Sequence, residues 1–388
     1  MKTIKYYGLL LLLFCSSAVA QAQQKADGQF VKVNSWQALL DLAKKEHKMI
    51  FIDSYFVGCH PCKQMDDEVF PLSDVTRLMK DNFVSVKIDF MVEELGKALQ
   101  VKYAVTGFPT FLILNEDGQL VSRFSGYQEA DVFQKRLAEA KVKAKNGVVM
   151  AGFSANLGVA HPDFYTQMFS ARKPMVAQDM INYLAKNKDV LKEEQAVPFL
   201  MMKNIDPDWN TYFLEHYAEF ESKYGQDLAS GKRAAIINSK LKGIGEGVNT
   251  EAFEKFLKTV RPYYSDDSWT YAKLDIAEGY YYNLHRDHKA FFKYAAANFN
   301  DDTNKIRYMA MYLNQPKIDE EEKQLFADWM KLVITADAPY EVLSTASRIM
   351  MTQKDVQQAK IYAGWGVKKA GVLKKSDSYF KEILAQSK

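Results

Sequence analysis

Phe51-Ile52-Asp53-Ser54-Tyr55-Phe56-Val57-Gly58-Cys59-His60-Pro61-Cys62-Lys63 is the stretch from which the fold can be read. The apolar run Met49-Ile50-Phe51-Ile52 reads as a buried strand that Asp53 interrupts at its end. A loop carrying Gly58 follows, and a helix is expected to start at Cys59 and run to about Phe70, where Pro71 stops it. Two cysteines two residues apart at a helix start suit thiol–disulfide exchange. The free N–H groups and the dipole of a helix N-terminus favour a thiolate on the first sulfur. The second lies one turn on, placed to attack a mixed disulfide and release the partner. Cys59 is therefore the candidate attacking thiol and Cys62 the candidate resolving thiol. A structural disulfide stabilises most by closing a long loop, and this pair would close almost none, so redox chemistry is the better explanation. Structural zinc needs four ligands; with no second cysteine pair in the sequence, no metal is expected.

Working outward, Ser35 caps a helix in which Trp36, Leu39, Leu40 and Ala43 share one face. Ser73 caps a helix through Lys80, Phe83 to Asp89 alternates as a strand, and Glu93 to Val101 is helical. Phe108 to Leu114 is a second apolar strand, with Pro109 near its start. The turn Asn115-Glu116-Asp117-Gly118, with Gly118 at a position suited to positive φ, returns the chain as Leu120 to Phe124. An amphipathic helix from Glu129 to Lys145 closes the unit. The order α-β-α-α-β-α-β-β-α predicts an α/β layered domain over residues 23–145.

This segment resembles the thioredoxin family. The resemblance rests on the Phe51–Lys63 stretch, on Val86-Lys87-Ile88-Asp89 as the next core strand, on Thr106-Gly107-Phe108-Pro109-Thr110 as the cis-proline loop, and on Gly126 after the hairpin. The run Cys62-Lys63-Gln64-Met65-Asp66 through Val69-Phe70 is closer to exported thioredoxin-like domains, including the periplasmic domain of the transmembrane disulfide-interchange reductase. The resemblance implies a thioredoxin fold and supporting roles. Asp53 matches the buried acid that relays the proton of the second cysteine, and Lys87 matches the lysine near that acid. Pro109 would be cis and lie against the disulfide, and Phe108 would offer backbone hydrogen bonds to a substrate chain. His60 would stabilise a neighbouring thiolate, whereas Pro61 matches the proline of reducing thioredoxins. Family potentials span roughly −270 to −120 mV. Tyr55 and Gly58 stand where the family usually has tryptophan, on the surface that meets partners, so client identity does not carry over.

The N-terminus has the pattern of a secretory signal over residues 1–22. Lys2 and Lys5 precede the apolar run Gly8 to Phe14, and the small-residue sites Ala18-Val19-Ala20 and Ala20-Gln21-Ala22 follow. The run falls short of the ~20 residues that span a bilayer. An exported, periplasmic protein is expected. Lipid attachment at Cys15 is disfavoured by Phe14, which stands where a small residue is needed. The net charge of +3 gives no basic stripe for nucleic acid.

Beyond Lys145 the chain changes character. Residues 146–177, rich in Gly and Ala, read as a linker or docking segment, and residues 178–388 as an all-α domain. Asn283 to Ala290 and Met351 to Ala359 each join two amphipathic helices, and Asp287 and Asp355 lie 68 residues apart. That is twice the period of about 34 of tetratricopeptide repeats, which these helix pairs resemble. Tyr280-Tyr281-Tyr282 and Phe291-Phe292 read as helix core, with a docking surface as the alternative, and His285 and His288 as a solvated turn.

The expectation is an exported dithiol–disulfide oxidoreductase needing no cofactor, more a reductase than an oxidase. Its partners would be client proteins with thiols or disulfides and a membrane redox partner, and the helical domain would select clients. The rival reading is a protein-binding or chaperone-like module whose thioredoxin-fold appendage turns over little.

Overall fold

A computed structural model describes residues 29–298, 303–310 and 318–386. The expected signal segment and Cys15 lie outside the described residues. The chain divides into two compact units, with the boundary between Arg233 and Ala234.

The first unit begins with α1 (Trp36–Glu46), whose N-cap Ser35 accepts from the Ala38 N–H. There follow β1 (Met49–Tyr55), α2 (His60–Gln64) with a π-helical turn (Met65–Val69), α3 (Ser73–Asn82), β2 (Phe83–Asp89), α4 (Glu94–Lys102), β3 (Thr110–Leu114), β4 (Leu120–Ser125) and α5 (Ala130–Lys145). The sheet order is β2-β1-β3-β4. β1 and β2 are parallel, and β3 runs antiparallel to both β1 and β4, so the sheet is mixed. Gly118 has φ +80 in the hairpin turn, a conformation glycine enters without a Cβ clash.

Side chains alternate across a strand, so Phe51 and Asp53 share a face of β1. Phe51 belongs to an apolar core with Met65, Val69 and Phe70 from the segment after α2, Phe111 of β3 and Phe133 of α5. Its ring lies 5.6 Å from that of Phe111 and 5.8 Å from that of Phe133. The face bearing Asp53 is therefore the one covered by the segment that continues from the cysteines.

The unit continues well past Lys145, through α6 (Asp163–Ser170), α7 (Ala177–Lys186), α8 (Glu193–Met201), α9 (Pro207–Glu215), α10 (Tyr217–Tyr224) and the first part of α11 (Gln226–Leu241). Of the stretch expected to be a linker or docking segment, residues 163–170 are helical, and Phe153 and Tyr165 are buried. Phe153 packs between Tyr103 and Tyr224, with 5.2 Å between ring centroids on each side. Gly152 comes so close to the Tyr224 ring that a Cβ there would overlap it. The Trp36 indole donates to Ala155 O, and Met150 N to Leu120 O.

The second unit contains the rest of α11, then α12 (Thr250–Val260), α13 (Asp266–Ala277) running into a π-helical stretch (Glu278–Leu284), α14 (His288–Asn298), α15 (Thr303–Ala310), α16 (Glu320–Val333), α17 (Tyr340–Thr352), α18 (Val356–Leu373) and α19 (Ser378–Ala385). Tyr280, Tyr281, Tyr282, Phe291 and Phe292 are all buried, which settles them as core rather than docking surface. Tyr280 stacks on Phe253 at 4.7 Å, and Phe292 meets Phe326 at 5.4 Å. The two similar turns share a geometry. Arg286 and Lys354 adopt left-handed φ of 57° and 62°. Asp287 and Asp355, next in sequence, accept from the N–H groups of Ala290 and Gln358. His288 is not a solvated turn residue: its Nδ1 lies 2.5 Å from Glu322 and its ring stacks on Tyr282. Among the described residues, no helix is long and apolar enough to cross a membrane.

Candidate functional site

Cys59 ends the loop after β1 and is the N-cap of α2, with Pro61 in the first turn. Its sulfur accepts from the Cys62 N–H at 3.3 Å. This is the placement that favours negative charge on the first sulfur when the pair is reduced. Cys59 and Cys62 are joined as a disulfide. In this form both residues are largely covered, Cys59 at 6% and Cys62 at 3% exposure. The exposed part of the loop is Phe56, Val57 and Gly58, with Val57 at 82%, together with His60. The two cysteines thus differ little in exposure while they are bonded to each other.

Asp53 lies at 1% exposure on the face shared with Phe51. It pairs across the parallel register with Lys87 of β2, whose Nζ stands 3.2 Å from Asp53 Oδ2. Burial pushes the Asp53 carboxyl up to about 7; the Lys87 charge opposes the rise and Asp66 adds to it. Lys87 does not serve Asp53 alone. Its ammonium makes a closer contact to Asp66, in the π-helical turn after α2, and sits 5.0 Å from the Tyr55 ring centroid. Burial works against the Lys87 charge, but the two carboxylates outweigh it and hold the lysine above its ordinary range.

The Phe108–Pro109 peptide is cis. Phe108 is half-buried, its ring 5.4 Å from Phe56 and 6.0 Å from Phe90. The start of β3 is tied to β1, because Ser54 Oγ accepts from Thr110 N and donates to Thr110 O. Gly126, at φ +83, donates its N–H to Pro109 O.

The structure thus pairs Asp53 with Lys87 across adjacent strands, and it sets Cys59 and Cys62 at the start of the helix whose continuation carries Asp66. Phe108 and Pro109 lie at the strand start beside Ser54. Sequence reasoning missed Asp66. Its signal was helical spacing, since it stands four residues after Cys62 and hence one turn further along. His60 points outward and is exposed. Chemically, the site can hold two sulfurs as thiols or as a disulfide, with a carboxyl able to gain or lose a proton near neutral pH.

Comparison with known proteins adds independent support. A family description, "Thioredoxin-like domain", matches residues 36–141. Protein disulfide-isomerase of Ricinus communis is 26% identical over 145 residues, which are 36% of this chain and 29% of that protein. Thiol:disulfide interchange protein DsbD of Photorhabdus laumondii is 27% identical over 127 residues, 32% of this chain and 22% of that protein. The chain therefore spans less than a third of the length of these relatives. A solution structure of a thioredoxin from Thermus thermophilus is 29% identical, covering 27% of this chain and 82% of that one, with a TM-score of 0.25. The N-terminal part of this protein, residues 36–141, is a thioredoxin-like domain, and a largely helical region follows it.

Proposed function

We propose that the protein is an exported thiol–disulfide oxidoreductase working mainly as a reductase. The observation that carries this reading is the Cys59–Cys62 disulfide at a helix start inside a thioredoxin-like domain. In the reduced protein, the Cys59 thiolate attacks one sulfur of a client disulfide. A Cys59–client bond forms, the client S–S bond breaks, and the second client sulfur leaves as a thiolate that takes a proton from water. Cys62 then attacks Cys59 Sγ, so the intramolecular disulfide forms and the first client sulfur is released. Two electrons pass from the dithiol to the client, and an external dithiol, for which a membrane redox partner is the proposed source, restores the pair. Asp53, with a carboxyl near neutrality, is assigned the Cys62 proton during the second step. The match to disulfide-isomerase and interchange proteins supports proteins with thiols or disulfides as clients. The signal-like N-terminus supports export to the periplasm, and Pro61 between the cysteines supports the reducing direction.

The test is insulin reduction by dithiothreitol, followed as turbidity. The wild-type protein should shorten the lag and the Cys59→Ser variant should not. No acceleration by well-folded wild-type protein would reject the reading and favour a binding role. N-terminal sequencing of protein from the native host should find a start near Gln21 or Gln23; an intact Met1 on membrane-bound protein would reject export.

A further inference from the structure

We propose that the helical segment of residues 146–233 positions the Phe108–Pro109 loop, and so sets how tightly a client chain is seated beside Cys59. The inference rests on the oxidoreductase reading and goes beyond it by giving this segment a part in client binding.

The loop from Tyr103 to Pro109 joins α4 to β3 and is anchored at both ends by different parts of the chain. Its far end is tied to the sheet, through the Ser54 bonds to Thr110 and through Thr110 Oγ1, which donates to Gly107 O. Its root receives side chains from the helical segment. The buried Tyr165 hydroxyl of α6 donates to Val101 O at 2.5 Å. Arg123 of β4 donates to Tyr103 O and forms an ion pair at 2.7 Å with Asp227 of α11. Between these two carbonyls, Lys102 is buried against Glu193 of α8, whose other oxygen accepts from Ser154 N. Three successive residues of the root, Val101, Lys102 and Tyr103, are thus held directly or through Arg123 by residues that follow the thioredoxin-like domain in sequence.

The root ends in a fixed turn. Ala104 has a left-handed φ of 51° and donates its N–H to Val101 O, the C-cap geometry that closes a helix. Val105 N bonds back to Gln100 O, and then only Thr106 and Gly107, both exposed, separate the fixed root from Phe108. A shift at the root has few residues in which to dissipate before it reaches the loop assigned to client binding. Tyr165, Arg123, Asp227, Lys102 and Glu193 are positioning residues: they act through the loop, not on the sulfurs.

The test uses the full chain as wild type, Tyr165→Phe, Asp227→Asn and the double variant. Tyr165→Phe keeps the ring and removes one hydroxyl; Asp227→Asn alters a half-exposed carboxylate and carries the test should Tyr165→Phe not fold. Two substrates are reduced, a disulfide-bonded peptide that needs the seat and hydroxyethyl disulfide, which is too small to use it. Losing a hydrogen bond and some preorganisation should raise KM for the peptide about five-fold in the double variant, with kcat within about two-fold. The hydroxyethyl disulfide rate and the Cys59 alkylation rate should stay at wild-type values, and amide exchange over 104–108 should quicken. An unchanged peptide KM in the folded double variant would overturn the inference, as would a parallel loss on both substrates. A wild-type protein that reduces neither substrate would instead reject the oxidoreductase reading, and the inference with it.

Discussion

Each unit of the chain places one lysine between a buried and a more exposed carboxylate, with opposite consequences. In the helical unit, Lys305 lies 2.5 Å from Glu278, which is 11% exposed, and 2.7 Å from Asp275, which is 61% exposed. Both acids reach the ammonium at full contact. In the thioredoxin-like domain, Lys87 is drawn onto the half-exposed Asp66 and stands 3.2 Å from the buried Asp53. Asp53 is therefore the acid that goes under-compensated, and burial raises it to about 7. The same three charges make a structural clamp in one unit and a proton acceptor poised near neutrality in the other. The difference lies in which acid the lysine touches.

A third pair calibrates the comparison. Lys102 and Glu193 are 1% and 7% exposed and serve one another. Glu193→Ala leaves a buried ammonium and should cost roughly 3–5 kcal/mol of stability in chemical denaturation, while Lys102→Met with Glu193→Leu should recover most of it. A small loss in the single variant would mean that water reaches the pair. Next, Lys305→Met should destabilise by about 2–3 kcal/mol, since Glu278 and Asp275 would lose the cation they share. Lys87→Met should cost less at pH 6 than at pH 9, because Asp53 can take a proton instead. A Lys87→Met cost that is the same at pH 6 and pH 9 would erase the distinction between clamp and acceptor.

Asp53→Asn tests the acceptor directly. A carboxyl whose folded value is raised contributes stability that is full below its ordinary value near 4 and is lost as pH rises through about 7. The Asn variant should therefore be more stable than wild type at pH 8, by roughly 1–3 kcal/mol, with the gap closing toward pH 4. In single-turnover kinetics it should slow resolution of the mixed disulfide by ~10²–10⁴-fold and leave its formation nearly unchanged. Unchanged resolution would reduce Asp53 to a structural acid. The smallest effect belongs to Asp66→Asn, which frees Lys87 for Asp53. The pH midpoint for Asp53 should fall by about one unit or less, and a rise would show that Asp66 does not compete for the lysine.

What was legible in the sequence follows the range of the forces involved. The strands at Phe51, Val86 and Phe111 declare themselves by apolar runs, Cys59 by its spacing from Cys62, and Asp53 and Pro109 by the resemblance to the thioredoxin family. Asp66 was written in the same local code, one turn past Cys62, but its role depends on Lys87, which reaches it from a strand 21 residues away. The helical segment's grip on the loop root was not legible. It depends on single residues, Phe153, Tyr165, Glu193 and Asp227, that pair with partners from 50 to 104 residues away and leave no period behind. The Gly- and Ala-rich stretch lacked periodicity for this reason: it docks through isolated aromatics, not through a continuous helical face. Lys102, at the end of a helix, likewise gives no local sign of the buried Glu193 it meets 91 residues on.

The account turns on Cys59 as the nucleophile, and one measurement addresses that most directly. The reduced Cys62→Ser protein is mixed at pH 7 with a disulfide-bonded peptide, and the product is read by intact mass and peptide mapping. The account expects a single stable peptide adduct on Cys59, formed faster than on a free cysteine peptide, and no adduct on Cys62 in the matching Cys59→Ser protein. Adduct on Cys62, or none on Cys59 in folded protein, would contradict it.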